Sequence, residues 1–161
     1  MTLPKTRTWQ DVLEDPNLQD LPYKIELDEK GQLLMSAATN VHGRFQVRIS
    51  DLLRDHMQPG ERINECSIMT TKGVRVADVA WCSLERLESQ AQDLYTTAPE
   101  ICVEIISPSN RSAEIKQKVG LYLAAGALEV WTCSLQGEIK FFMESSELEQ
   151  SVLAPEFPAK I

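Results

Sequence analysis

The chain contains no run of the roughly 18 to 20 consecutive apolar residues that a membrane-spanning helix needs, and its start, Met1-Thr2-Leu3-Pro4-Lys5, lacks the apolar segment of a secretory leader. A cytoplasmic location with no membrane partner is the expectation. Cysteine is scarce: Cys66, Cys82, Cys102 and Cys133 lie far apart, with no C-x-x-C pair and no histidine at ligand spacing. That spacing speaks against a zinc module or a disulfide framework and for small, reduced core residues. A glycine-rich phosphate loop, a Gly-x-Ser-x-Gly elbow, an internal repeat and a low-complexity stretch are also missing. P-loop, serine-hydrolase and solenoid architectures are thereby set aside.

Positive charge is scarce as well. Sixteen Lys and Arg stand against 24 Asp and Glu, for a formal net charge of −8. This weighs against a nucleic-acid partner, because Lys and Arg contacts to the phosphate backbone supply most non-specific affinity. The imbalance is uneven along the chain, however. Acids crowd residues 11–20 and 144–149, whereas Arg44, Arg48, Arg54, Lys72, Arg75, Arg111, Lys116 and Lys118 fall in the middle. A basic face on an acidic protein is therefore compatible with the composition.

What is present suits one α/β domain: 161 residues, 43% hydrophobic and 25% charged, can bury a core unaided. The pattern predicts a peripheral helix within residues 1–20, a core over 22–143 and a tail over 144–161 with no clear period. Thr8 reads as the cap of the leading helix. Residues 23–27 and 32–35 read as a hairpin turned at Gly31. Val41, Phe45, Ile49, Leu52 and Leu53 recur at helical spacing over 40–57, with Asn40 as the expected cap and Pro59-Gly60 as the stop. A second hairpin is expected over 62–83 and a short helix and loop over 84–97. Residues 101–106 read as a central strand covered on both faces. A cap near Asn110, a helix over 112–125 ended by Gly126 and a last hairpin over 130–143 complete the expected order.

Two acids interrupt runs that favour burial, Asp78 within Val76-Ala77-Asp78-Val79-Ala80 and Glu104 within Val103-Glu104-Ile105-Ile106. An unpaired buried charge costs several kcal/mol, so such an acid takes a partner or a metal. On adjacent strands the two would form a hard-oxygen site suited to Mg²⁺ or Mn²⁺. Each could instead face solvent at a strand end or pair with an arginine. His42 and His56, fourteen positions apart on one helix, cannot share a metal and read as packing residues.

The order of residues around these acids is more specific. Asp78 follows a hairpin, Pro99-Glu100 leads into the strand of Glu104, and Ser107-Pro108-Ser109, Lys118, Tyr122, Gly126 and Trp131 come after. Upstream lie Glu26, Gly31, Met35-Ser36 and His42. Over residues 23–142 this closely resembles the Uma-type restriction endonuclease family of the PD-(D/E)XK nuclease superfamily. Two departures stand out: Ala77 replaces a usual proline, and Ile106 stands where the superfamily lysine lies two residues after the second acid.

The resemblance implies a restriction-endonuclease-like mixed sheet flanked by two long helices. It also implies a metal-dependent endonuclease acting on nucleic acid, DNA above all. Asp78, Glu104 and the Ile105 carbonyl would hold Mg²⁺, with Mn²⁺ as a substitute. The amine would come from Lys118 on the following helix, although Lys116 flanks the same apolar stripe on its other edge. Glu26 matches an additional acid of the superfamily, and a water-facing strand residue is the alternative. Two other classes stay open, a non-catalytic module that retains the nuclease fold and a Mg²⁺-dependent hydrolase of small phosphate esters. Without metal, Asp78 and Glu104 would repel, so neutralising one is expected to leave stability unchanged or higher.

Phe141, Phe142 and Met143 place large side chains on both faces of a late strand, so a second subunit is expected to cover one of them. Light scattering at micromolar concentration should then give the mass of a homodimer. A monomer would mean that the C-terminal tail covers the run.

Overall fold

A computed structural model describes residues 5–161; residues 1–4, which include most of the start that lacks a leader-like run, lie outside the described residues. Thr8 opens α1 (Trp9–Glu14) with a reciprocal cap. Its hydroxyl accepts the Asp11 N–H at 3.3 Å, and the Asp11 carboxylate accepts the Thr8 N–H at 2.7 Å. The first hairpin pairs β1 (Tyr23–Asp28) with β2 (Leu33–Ala37) and turns at Gly31, whose φ of 78° suits glycine.

Helix α2 (Asn40–His56) is capped by Thr39 rather than the expected Asn40. Thr39 holds the extended backbone of a cap and accepts the His42 N–H at 3.2 Å, while Asn40 is already helical. β3 (Gly60–Thr70) and β4 (Gly73–Ser83) form a long hairpin, followed by α3 (Leu84–Glu88) and β5 (Ile101–Ile105). Before α4 (Ser112–Ala124), Asn110 closes the loop on the Ser107 N–H instead of capping the helix. Glu114 instead reaches back to the Arg111 N–H at 3.2 Å. β6 (Glu129–Cys133), β7 (Ile139–Met143) and β8 (Ser146–Leu148) complete the strands among the described residues.

The strands make one sheet in the order β2-β1-β4-β5-β6-β7-β8, with β3 paired to β4. Among the described strands only β5 and β6 run parallel, joined by the α4 crossover that a parallel pair requires. Odd-numbered Val79, Trp81, Ile101, Val103 and Trp131 pack beneath Phe45, Ile49 and Leu53 of α2. Even-numbered Ala80, Cys102 and Val130 meet Val119 and Tyr122 of α4. The two-residue period of the strands thus puts the long helices on opposite faces. All four cysteines are free and buried, and burial pushes the Cys66 thiol up to about 12.

One irregularity of the sheet lies along β4. β4 pairs with β3 from end to end, but its other edge is shared: β1 meets it at Gly73 and Val74, and β5 meets it from Val79 to Trp81. Along residues 75–78 the sheet is split between β1 and β5.

The tail is ordered by a buried carboxylate. Glu129, with no exposed surface, accepts from Trp131 Nε1 and Ser151 Oγ at 2.7 Å and from the N–H groups of Val152 and Leu153 at 2.8 Å. This draws Ala154 and Phe157 into the core, where the Phe157 ring lies 4.5 Å from that of Trp131. Phe141 packs with them, and Phe142 packs against the cluster on the α4 side. The apolar run of the last hairpin is therefore met largely within the chain.

Glu129→Ala would leave four donors without their acceptor, two of them on the fully buried Trp131 and Ser151, and the unfolding free energy in urea should fall by about 3 kcal/mol or more. Exposed Glu156→Ala should shift it by less than about 0.5 kcal/mol. Equal effects would show that the tail is not held by this carboxylate.

Candidate active site

A split sheet leaves main-chain groups without ladder partners, and buried N–H groups must be satisfied. Here two carboxylates do so. Glu26, on β1, accepts the Val76 N–H at 2.8 Å, and Asp78, on β4, accepts the Ile105 N–H through Oδ2 at 2.7 Å. Glu104 precedes Ile105 on β5 and turns towards α4, where Tyr122 Oη donates to its Oε1 at 2.6 Å and Lys118 Nζ to its Oε2 at 3.2 Å. The second oxygen of Asp78 meets Lys24 Nζ at 2.7 Å and His42 Nε2 at 3.0 Å. Lys24 reaches on to Glu104 Oε2 at 3.2 Å, and Lys118 to Glu26 Oε1 at 2.8 Å.

The result is an alternating run of charge: His42, Asp78, Lys24, Glu104, Lys118, Glu26. Its three acids are buried, and most of its members open onto a cavity of about 330 Å³ that Ile105 also lines. Because one ammonium touches both Asp78 and Glu104, their carboxylates lie within two hydrogen-bond lengths of each other.

Burial alone would raise both acids. At Asp78 the charges and hydrogen bonds of Lys24 and His42 outweigh it and hold the carboxyl well below its usual range. At Glu104 burial outweighs Lys118 and Lys24, so its pKa is raised and it takes up a proton first as pH falls. Burial would lower the Lys24 ammonium, but Glu104 and Asp78 more than compensate and keep it charged. The hydrogen bond to Asp78 raises His42.

A strained residue flanks the cluster. Glu65 lies across from Asp78 on β3, between the pairs Asn64↔Val79 and Cys66↔Ala77, with a φ of 56°. A left-handed backbone at a residue other than glycine is costly and concentrates at functional sites. Gln46 of α2 ties the two positions together, donating to the Glu65 carboxylate and, at 3.1 Å, to the Asp78 main-chain carbonyl.

Of the residues singled out from the sequence, Asp78, Glu104, Lys118 and Glu26 come together, with Ile105 beside them. Glu26 does not face water; it is 7% exposed and engaged by Lys118. Lys116 lines a separate groove along α4 with Ile115 and Phe142. Three participants were missed. Lys24 stands two residues before Glu26, so the strand period that assigns one face to Glu26 assigns it to Lys24 too. His42, set aside as a packing residue, contacts Asp78 instead, because it lies in the first turn of α2 above the split. Tyr122 entered only as part of a motif and proves to be a donor to Glu104. The repulsion expected between the two acids is present, since Asp78 helps to raise Glu104, but Lys24 lies between them and offsets it.

The donor set fits a hard cation. Two carboxylates converge on one cavity, and among the described residues no three His, Cys, Asp or Glu side chains gather at metal-ligand spacing. An ion there would take two protein carboxylates and complete its shell with main-chain and solvent oxygens, the mode that Mg²⁺ favours.

The chain belongs to the Uma2 family, described as "Putative restriction endonuclease", which matches residues 9–152. The crystal structure of a "putative nuclease belonging to DUF820" from Anabaena variabilis ATCC 29413 aligns with a TM-score of 0.70 at 15% identity, covering 88% of this chain and 82% of that one. That likeness shows the fold: a restriction-endonuclease-like mixed sheet between two long helices. No curated protein matches the chain. Among the described residues no helix is long and apolar enough to cross a membrane.

Asp78→Asn should destabilise the metal-free protein, by on the order of 3 kcal/mol at neutral pH, because it leaves Lys24 without its nearest partner in the interior. The sign with pH follows from the depressed carboxyl. Its contribution is complete above the unfolded value of about 4 and is lost as pH falls through the lower folded value. Urea titrations from neutral to strongly acid pH should therefore show the two proteins converging. A constant difference would contradict the assigned ion pairs.

Proposed function

We propose that this chain is a divalent-metal-dependent endonuclease that hydrolyses phosphodiester bonds in nucleic acid, with DNA as the substrate. Membership of a restriction endonuclease family supports the reaction class. The observation that carries the reading is the convergence of Asp78 and Glu104 from neighbouring strands onto one cavity, with Lys118 beside them.

In this reading Asp78, Glu104 and the Ile105 carbonyl hold Mg²⁺ or Mn²⁺. The bound ion supplies Lewis-acid polarisation of a phosphate and acidification of water. Lys118, steadied by Glu26 at 2.8 Å, orients the attacking water or offsets the charge that builds on the phosphate. Tyr122 fixes the rotamer of Glu104 from the α4 side, and His42 fixes Asp78 from the α2 side. These supporting contacts keep the reacting groups in place before substrate arrives. A homodimer of this enzyme would have to form away from Phe141, which the tail covers.

Supercoiled plasmid incubated with Mg²⁺ or Mn²⁺ should be nicked. Asp78→Asn and Glu104→Gln should each abolish nicking, and Lys118→Ala should slow it by about 10²-fold. Mononucleotides and small phosphate esters, run in parallel, should remain intact. Wild-type protein that cleaves nothing with either ion, and that binds no Mn²⁺ in calorimetry, would reject the reading in favour of a non-catalytic module.

A further inference from the structure

Lys24 stands between the two carboxylates that the proposed ion needs. Its Nζ is 2.7 Å from Asp78 Oδ1 and 3.2 and 3.5 Å from the two oxygens of Glu104. A divalent ion would take the same oxygens at about 2.0 to 2.6 Å. Ammonium and ion therefore compete for the same lone pairs, and two cations cannot share that space.

Resting on the reading of Asp78 and Glu104 as metal ligands, we propose that Lys24 is a resident counter-ion which the divalent metal displaces into the cavity. Without metal, Lys24 holds two buried acids together that would otherwise repel. A dication on those oxygens would stand beside the Lys24 ammonium, and like charges that close in a largely buried site repel strongly. Withdrawal of one ammonium relieves it.

The geometry selects Lys24 as the one that leaves. Lys118 is held by Glu26 and touches only one of the two ligands, whereas Lys24 bridges both, and the cavity that both lysines line gives it room to retreat. Its side chain is 9% exposed in the bridging position. The displaced amine would then gain solvent and reagent access that it lacks in the metal-free protein.

Calorimetry with Mn²⁺ on the wild type, Lys24→Met, Lys24→Gln and Asp78→Asn tests the exchange. Both Lys24 variants should bind Mn²⁺ about tenfold or more tightly than wild type, and Asp78→Asn should lose binding. Equal or weaker binding by the Lys24 variants, with Asp78→Asn still inactive in binding, would overturn the displacement and leave the metal site standing. No binding by wild type or either Lys24 variant would overturn both. Should the Lys24 variants fail to fold, the wild type supplies its own test. Acetylation of Lys24, mapped by peptide mass spectrometry, should rise several-fold when Mn²⁺ is added. Mn²⁺ binding without any rise at Lys24 would overturn the proposal.

Discussion

The shared edge of β4 is the constraint from which the site follows. β3 occupies one side of that strand completely, but on the other side β1 and β5 each take one end and part over residues 75–78. Such a split exposes main-chain donors in the interior, where an unsatisfied N–H is expensive. Glu26 and Asp78 satisfy two of them with carboxylates. Satisfying the backbone therefore imports negative charge, and imported charge has to be answered. Lys24, His42 and Lys118 answer it. A gap in the ladder has become a polar cluster covered by helices on both faces.

Such a cluster has consequences for both stability and chemistry. Each acid is held by at least two donors from different elements, so its rotamer is set by the fold rather than by solvent. The two acids also end with different proton affinities, Asp78 depressed by its cations and Glu104 raised by its burial. In the proposed enzyme both must be ionised to hold a dication, and the positive charge of the ion itself would favour that state at Glu104. The strain at Glu65, tied through Gln46 to the main chain of Asp78, belongs to the same region.

Much of the fold was legible because its elements are locally self-consistent. The α2 stripe of Phe45, Ile49 and Leu53 and the glycines at 31 and 126 fix helix, turn and stop with little help from the rest of the chain. Asp78 and Glu104 were legible for the opposite reason, since each violates its surroundings. Lys24 and His42 were not, because a lysine on an alternating strand and a histidine at a helix start satisfy every local rule. Their roles depend on a tertiary fact, the parting of β1 from β5, which no spacing encodes. The tail was opaque for a related reason. Ser151, Ala154 and Phe157 have no period of their own, and the buried Glu129 that organises them lies more than twenty residues upstream.

In the proposed enzyme Asp78 and Glu104 form one cation site, bridged without metal by the Lys24 ammonium. Crystals soaked in Mn²⁺ and measured for anomalous scattering test it most directly. A Mn²⁺ peak is expected between the Asp78 and Glu104 carboxylates, with Lys24 Nζ moved off both. A Mn²⁺ peak elsewhere, or none with Lys24 still bridging the two acids, would contradict it.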